Sequence, residues 1–234
     1  DPSRVLLSKT AGGAGSASIT VTVPRGSTII PTFYVQGLGS SGSVDVVALT
    51  QANVIPNTPS GLGKTFKVNL TPSGFTIYTN NISTTTVAGN SDVQIKPARL
   101  TSGLVIAEYQ ALRAGIAPVG VPVSSSDTNV GTVTTSPLVF GGNTAAMSTQ
   151  FDPVGAGTSS ISITQPSGFS IPTQYQSITA TVTKPSITVY DTTVGADLQV
   201  SSTCNLGAAP ATPVDVTLTV TSASTATISK DVNT

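Results

Sequence analysis

The side chains that could do chemistry in this chain are few, and their spacing matches no familiar kind of active site. Histidine and tryptophan are absent, and the single cysteine, Cys204, can form neither an internal disulfide nor a thiolate metal cage. Serine is abundant, but a Ser-His-Asp triad without histidine lacks its general base. The residues therefore predict a protein that is not an enzyme, with no catalytic residue and no cofactor.

The acidic residues are scattered along the chain rather than clustered. They form no Asp-x-Asp-x-Asp loop of the kind that wraps calcium, so the sequence predicts no metal site. Calcium at a joint between domains, held by Asp92 or Asp197 together with loop carbonyls, stays open as an alternative.

Glu108, the only glutamate, has a different possible role. It could catalyse an internal Lys-Asn isopeptide crosslink, for which Lys67 or Lys96 would supply the amine. Exposed strand lysines are the simpler interpretation. Glu108 lies in residues 104–113, the one stretch with good helix formers, which favours either a one- to two-turn helix or an extended strand with a longer loop. A functional insertion is the alternative.

The composition describes a globular chain with little charge. Of its 234 residues, 38% are apolar and only 9% are charged, and ten basic residues balance ten acidic ones. Such a chain has no field that would attract nucleic acid or an anionic membrane. No apolar run approaches the roughly 20 residues that span a bilayer. The chain begins without Met and without a leader, so we expect it to be part of a longer mature protein.

An internal repeat dominates the sequence. The stretch Pro-Ser-Gly-Phe-Thr-Ile-Tyr (72–78) precedes a Thr-rich turn and then Asp-Val-Gln (92–94). Far downstream, Pro-Ser-Ile-Thr-Val-Tyr (185–190) precedes Thr-Thr-Val-Gly and then Asp-Leu-Gln (197–199). The spacing, 185 − 72 = 113 residues, is ordinary for a seven-stranded sandwich domain.

Further correspondences divide the chain into three segments. Residues 125–133 match the start of the chain, residues 157–163 match 42–46, and residues 177–182 match 65–70, while 213–220 match the stretch from Pro118. We therefore predict the back part of one unit in residues 1–71, a complete unit in 72–183, and the front part of a further unit in 184–234. These are called the first, middle and third segments below.

Alternation of apolar and polar residues predicts strands throughout. In the first segment it predicts a strand at 18–23, with Ile19, Val21 and Val23 on one face. It also predicts that Phe66, Val68 and Leu70 point inward. In the middle segment one core between two sheets is expected from six residues: Val119, Val121, Ile161, Ile163, Ile178 and Val182.

These features resemble the bacterial immunoglobulin-like repeats of large surface and secreted proteins. The resemblance rests on the Thr-Thr-Val-Gly turn at 192–195, the alternating Pro-Val-Asp-Val-Thr-Leu-Thr-Val strand at 213–220, and the Ser-Asp-Thr-Asn-Val strand at 126–130. It implies an all-β chain of tandem immunoglobulin-like Greek-key sandwiches at the cell surface or outside the cell. It carries over no catalytic residue.

The leading hypothesis is a non-catalytic extracellular structural protein, such as a stalk, an adhesin shaft or a fibre. Its expected partners are further copies or neighbouring repeats of the same chain, and also glycans or another surface protein. Incomplete end segments would leave apolar faces and sheet edges open, so a filament assembled by strand complementation is part of this hypothesis. A carbohydrate-binding or accessory module of a secreted enzyme is the alternative, and an exposed aromatic platform would favour it.

Overall fold

The computed structural model describes residues 1–49, 64–222 and 225–229, and all regular elements in these ranges are β-strands. The predicted all-β fold class is confirmed. Within the same ranges there is no helix that could cross a membrane.

The first segment contains two separate strand pairs. Its strands are β1 (Val5–Ser8), β2 (Tyr34–Gly37), β3 (Ser43–Ala48) and β4 (Lys64–Asn69). Strand β1 pairs with β2 and β3 pairs with β4, both antiparallel. Its buried apolar cluster is small, comprising Val5, Val44 and Leu70 with Val68 packed against them.

The middle segment is a two-sheet sandwich. Its strands are β5 (Ser73–Ile77), β6 (Ile82–Thr85), β7 (Ser91–Leu100), β8 (Ile106–Tyr109), β9 (Val119–Val121), β10 (Val123–Ser125), β11 (Gly131–Val133), β12 (Leu138–Phe140), β13 (Met147–Pro153), β14 (Gly157–Ile163) and β15 (Ser177–Thr183). One main sheet has the order β11-β13-β7-β5, with β8 also on β7, and the other has the order β10-β14-β15-β6. Strands β9 and β12 form a separate antiparallel pair. Only β15 and β6 pair in parallel among the described strands. These orders match the two sheets of an immunoglobulin-like sandwich.

The core predicted for the middle segment is confirmed. Val121 and Ile161 are fully buried, and Val119 packs against the cluster from its edge. The other three predicted residues, Ile163, Ile178 and Val182, are also buried in it. Alternation succeeds here because each strand has one face on the core and one in water.

A glutamine side chain holds β5 at the edge of its sheet. The backbone amide of Phe75 donates to Gln165 Oε1 at 2.8 Å, and Gln165 Nε2 donates to the carbonyl of Phe75 at 2.7 Å. Gln176 Nε2 donates to the same carbonyl at 3.1 Å. The loop after β14 therefore provides the hydrogen bonds that another strand would provide.

The third segment has little regular structure. Its strands β16 (Ile187–Val189) and β17 (Cys204–Leu206) form an antiparallel pair. No residue in 184–222 or 225–229 is buried, and Leu198 and Leu218 are exposed. This part of the chain has strand-like composition without a core.

Several strand predictions are wrong, and most of them fail for one reason. Residues 18–23 and 213–220 alternate as predicted but are not strands in the structure. A strand needs a hydrogen-bonding neighbour as well as an alternating pattern, and neither stretch has one among the described residues. Phe66 lies on the same strand face as Val68, but it is 38% exposed and packs against Phe33 instead of being buried.

The stretch 104–113 is extended rather than helical. Strand β8 pairs with the end of β7, and a register shift between Arg99 and Leu100 marks the junction. The extended alternative is therefore correct and the helical one is wrong. Cross-strand pairing outweighs the helix propensity of a few residues, because propensity differences are only tenths of a kilocalorie each.

Truncation of Ile178 to Ala tests the core. We expect a loss of roughly 2–5 kcal/mol in the free energy of unfolding, because the change removes buried methyl groups and leaves a cavity. The matched control is Ile171→Ala at an exposed position, which should change stability by less than about 0.5 kcal/mol. Urea denaturation measures both, and equal losses would contradict the assigned core face.

Replacement of Gln165 by Leu tests the clamp on β5. Gln176 would still donate to the Phe75 carbonyl, so the change leaves mainly the buried Phe75 amide without a partner. We expect a loss of about 1–3 kcal/mol, the usual cost of one such orphaned group. The exposed Gln174 is the control for the same substitution. A Gln165→Leu variant as stable as Gln174→Leu would show that the clamp contributes nothing.

Candidate functional site

Along one edge, strand β7 pairs first with β13 and then with β8. Strand β13 begins at Met147, opposite Ile95, and β8 ends at Tyr109, opposite Ala98. Pro97 lies in the gap and has no amide hydrogen to offer, although its carbonyl accepts from the Gln110 amide at 3.3 Å. The switch of partners leaves an indentation in the sheet, which we call the β7 notch.

The β7 notch has a volume of about 250 Å³. It is lined by Gln94, Lys96, Tyr109, Gln110, Ala111, Ala145 and Ala146. Two loops form its far wall, and they are tied together where the Leu112 amide donates to the Thr144 carbonyl at 3.0 Å and the Asn143 amide donates to the Leu112 carbonyl at 2.8 Å. Since Leu112 is buried in the core, this wall is anchored.

Lys96 lies over the ring of Tyr78 and beside that of Tyr109 at the notch. Its Nζ is 3.4 Å from the ring centroid of Tyr78 and 5.5 Å from that of Tyr109. The rings meet edge to face, with centroids 5.3 Å apart. Tyr78 is placed by its amide, which donates to the Gln94 carbonyl at 2.7 Å. Both cation–π contacts therefore follow from the register of neighbouring strands.

Glu108 forms an ion pair and a hydrogen bond with residues of the same hairpin. Its Oε2 lies 3.6 Å from Arg99 Nε and accepts from Gln110 Nε2 at 3.1 Å. Lys67 instead pairs with Asp45 at 3.4 Å, with both side chains well exposed. The structure thus does not bring Glu108 to Lys67, and the isopeptide hypothesis lacks the buried lysine that it requires.

The two aspartates considered for calcium lie apart from other acidic ligands. Asp92 accepts from Gln150 Nε2 at 3.1 Å, and Asp197 is an exposed residue with φ of 56°. Among the residues that the structure describes, no three His, Cys, Asp or Glu side chains converge as metal ligands would.

Sequence patterns single out several residues at the β7 notch but do not predict how these residues are arranged. They single out Lys96 and Glu108 for a crosslink, use Tyr78 as a marker of the repeat, and give residues 104–113 as a possible functional insertion. Tyr109 is missed. An aromatic residue in an insertion that breaks a repeat is the signal that would have found it.

Comparison with known proteins gives partial likenesses to solved structures, including the two described next. No family model and no curated protein matches the chain. It is similar to domains 4 and 5 of the S-layer protein SbsC, with 13% identity and a TM-score of 0.33 over 51% of this chain and 59% of that one. It is also similar to the D00-D0 domain of Intimin, with 13% identity and a TM-score of 0.31 over 76% of this chain and 81% of that one. Superpositions this loose carry no conclusion about function.

Replacement of Lys96 by Met tests whether the lysine is structural. A half-exposed cation–π contact is worth about 0.5–1 kcal/mol, so the variant should lose no more than that in the free energy of unfolding. The methionine keeps the length of the stem that packs beside the rings. Chemical denaturation measures the loss, and a loss several times larger would mean that Lys96 is needed for folding.

Proposed function

We propose that the protein is a non-catalytic structural repeat protein of the cell surface, in which immunoglobulin-like units follow one another to form a stalk, shaft or fibre. The observation that supports this most directly is the recurrence of the same local geometry in the first and middle segments. Repetition of one unit is how an extended array is built from a small domain.

The first recurrence is the turn that precedes β1 in the first segment and its equivalent β11 in the middle segment. The Asp1 carbonyl accepts from the amides three and four residues later at 3.2 Å, and the Asp127 carbonyl does the same at 3.2 Å. Each aspartate side chain also accepts from the amide two residues later, at 3.1 Å for Asp1 and 2.9 Å for Asp127. Both turns use aspartate for the same reason, since its carboxylate caps the turn locally.

The second recurrence is the register of a hairpin. In the middle segment Ser159 pairs with Ala180 and Ile161 pairs with Ile178. At the positions that the repeat makes equivalent, Val44 pairs with Val68 and Val46 pairs with Phe66. A slip of one residue would send every side chain to the other face, so equal register supports equivalent units.

A double-mutant cycle tests the equivalence of the units. A side chain at Gly131 would collide with the ring of Phe151, whereas the equivalent positions in the first segment hold Val5 and Val35. We expect Gly131→Val alone to cost about 1–3 kcal/mol through overpacking. The double variant with Phe151→Val should lose less stability than the sum of the single variants, because the smaller side chain relieves the collision and leaves valine at both positions, as in the first segment.

The control for this cycle is Gly103→Val, at a position where a side chain would meet nothing closer than 3.8 Å. Gly103→Val and Phe151→Val should be additive within about 0.5 kcal/mol. Additivity of Gly131→Val with Phe151→Val would count against equivalent packing in the two segments.

The finer proposal is that incomplete units are completed by strand complementation. The first segment has the equivalents of β11, β13, β14 and β15. Ser16 bonds to the outer edge of β1 at Leu7, and no described strand pairs with the outer edges of β2, β3 and β4. The third segment has the sequence equivalents of β5, β7 and the strands from Pro118, with its apolar residues exposed. Val216 is exposed there, whereas its equivalent Val121 is fully buried. By sequence, the third segment therefore supplies the strands that the first segment lacks, although its residues 224–230 also duplicate the start of the chain.

We take the occupant of the first segment to be the third segment of a second copy. The copies would then associate head to tail in an open chain, and they would not form a closed dimer. An adjoining segment of a longer chain could fill the same place, and the state of association distinguishes the two.

A pair of aspartate substitutions tests this assembly. Val216→Asp places a charge on the face that would become buried, and Thr217→Asp places it on the opposite face. Both residues are exposed in the single chain, so the monomer should tolerate either change. Analytical ultracentrifugation should show concentration-dependent oligomers for the parent and for Thr217→Asp, and monomers for Val216→Asp. A monomeric parent whose two ends resist proteolysis would overturn the proposal.

A second candidate function, a carbohydrate-binding module of a secreted enzyme, is favoured by one observation. Tyr78 and Tyr109 form an adjoining pair at the β7 notch and are 52% and 38% exposed. An exposed aromatic pair is the feature that a structural spacer does not need.

A further inference from the structure

We propose that the β7 notch is a binding site for an acidic sugar, whose carboxylate is held by Lys96. This site belongs to the middle segment alone and does not depend on the proposed assembly. Three observations carry the inference: an unpaired cation, unpartnered polar groups beside it, and a notch of limited size.

The ammonium group of Lys96 has no anionic partner. The two ion pairs in the described part of the chain are Lys67–Asp45 and Arg99–Glu108, and neither involves Lys96. The acid on the neighbouring strand, Glu108, is already neutralised by Arg99 at 3.6 Å. Two tyrosine rings hold the lysine in place without using its hydrogen-bond donors, so the cation is positioned before any ligand arrives.

The groups beside Lys96 are suited to hydroxyls. The side chains of Gln94 and Tyr109 make no hydrogen bond to other described residues, so an amide and a phenol remain available at the notch. The opposite wall offers methyl groups of three alanines, Ala111, Ala145 and Ala146. A sugar ring matches this lining, because it presents hydroxyls at its rim and C–H groups on its faces.

The size and charge of the notch narrow the ligand further. Pockets that enclose drug-sized molecules have volumes of about 300–1,000 Å³, so 250 Å³ accommodates a single ring. One cation without further charged donors matches a singly charged carboxylate better than a phosphate, which recruits several donors or an arginine fork.

The notch also has a distinct origin in the sequence. Between Gln94 and Pro118 there are 118 − 94 = 24 steps, and between the equivalent Gln199 and Pro213 there are 213 − 199 = 14. The excess residues build β8 and the loop that walls the notch. The third segment lacks the insertion, so the repeat pattern does not require it.

Saturation-transfer difference NMR tests the proposal, because it detects weak ligands whatever the size of the protein assembly. The probes are galacturonate, glucuronate and N-acetylneuraminate, each compared with its methyl ester. We expect saturable binding of at least one acid, weakened tenfold or more in its ester and in Lys96→Met. Tyr109→Ala should weaken the same acid several-fold. Lys184→Met, which removes a charge just after β15, should leave it unchanged.

Three results would overturn the assignment. The first is that none of the three acids binds saturably. The second is that an acid and its methyl ester bind equally well, and the third is that Lys96→Met binds as well as the parent protein. A blocked acidic tripeptide is the fourth arm. If it binds as well as the best sugar and depends equally on Lys96, the notch recognises carboxylates on peptides and the sugar assignment is wrong.

Discussion

The side-chain amide of Gln165 holds one edge of the middle segment, and the core and the β7 notch both depend on that edge. Strand β5 is the last strand of its sheet, so the outward backbone groups of Phe75 have no neighbouring strand. Gln165 satisfies both of them at 2.7–2.8 Å, as one residue of a strand would. The ring of Phe75 thereby stays between Phe140 and Phe169, with centroids 4.9 and 4.8 Å away. Together with the backbone hydrogen bonds from the Ile77 amide to Tyr175 and from the Ser170 amide to Ser73, Gln165 thus holds the strand that makes these aromatic contacts.

The same constraint extends to the notch along β5. Tyr78 directly follows this strand, and its position relative to Lys96 is set by the pairing of Thr76 with Lys96. On the far side of β7, Pro97 and the shift between Arg99 and Leu100 set where β8 lies and therefore where Tyr109 lies. The two rings meet over Lys96 because the registers on both sides of β7 agree. A slip on either side would separate the tyrosines and leave the lysine in open solvent.

The limits of prediction from sequence follow from this dependence on neighbours. Alternation identifies the inward residues Val121, Ile161 and Ile178, because each strand has a core beneath it. The same alternation misleads at Ile19, Val21 and Val23, where the structure provides no partner strand. At the β7 notch, residue types identify Lys96 and Glu108 as unusual. The register of β7 with its neighbouring strands decides which side chains they contact. Tyr109 lies 13 positions from Lys96, and nothing local in the sequence indicates that a bulge beside a proline brings them together.

The third segment shows how register fails when no face is buried. If the repeat determined pairing, Val189 would lie opposite Val200, as Ile77 lies opposite Ile95. It lies instead opposite Cys204, a slip of 204 − 200 = 4 residues. An even slip keeps the alternation of faces, so only burial against a second sheet distinguishes the two pairings. Val189 and Val200 are both exposed, so burial does not favour either pairing here. A complementary sheet from a neighbouring unit would change this, because burying Val200 favours the register in which it faces the core. In the proposed assembly, association and the pairing of Val189 with Val200 would therefore be one event.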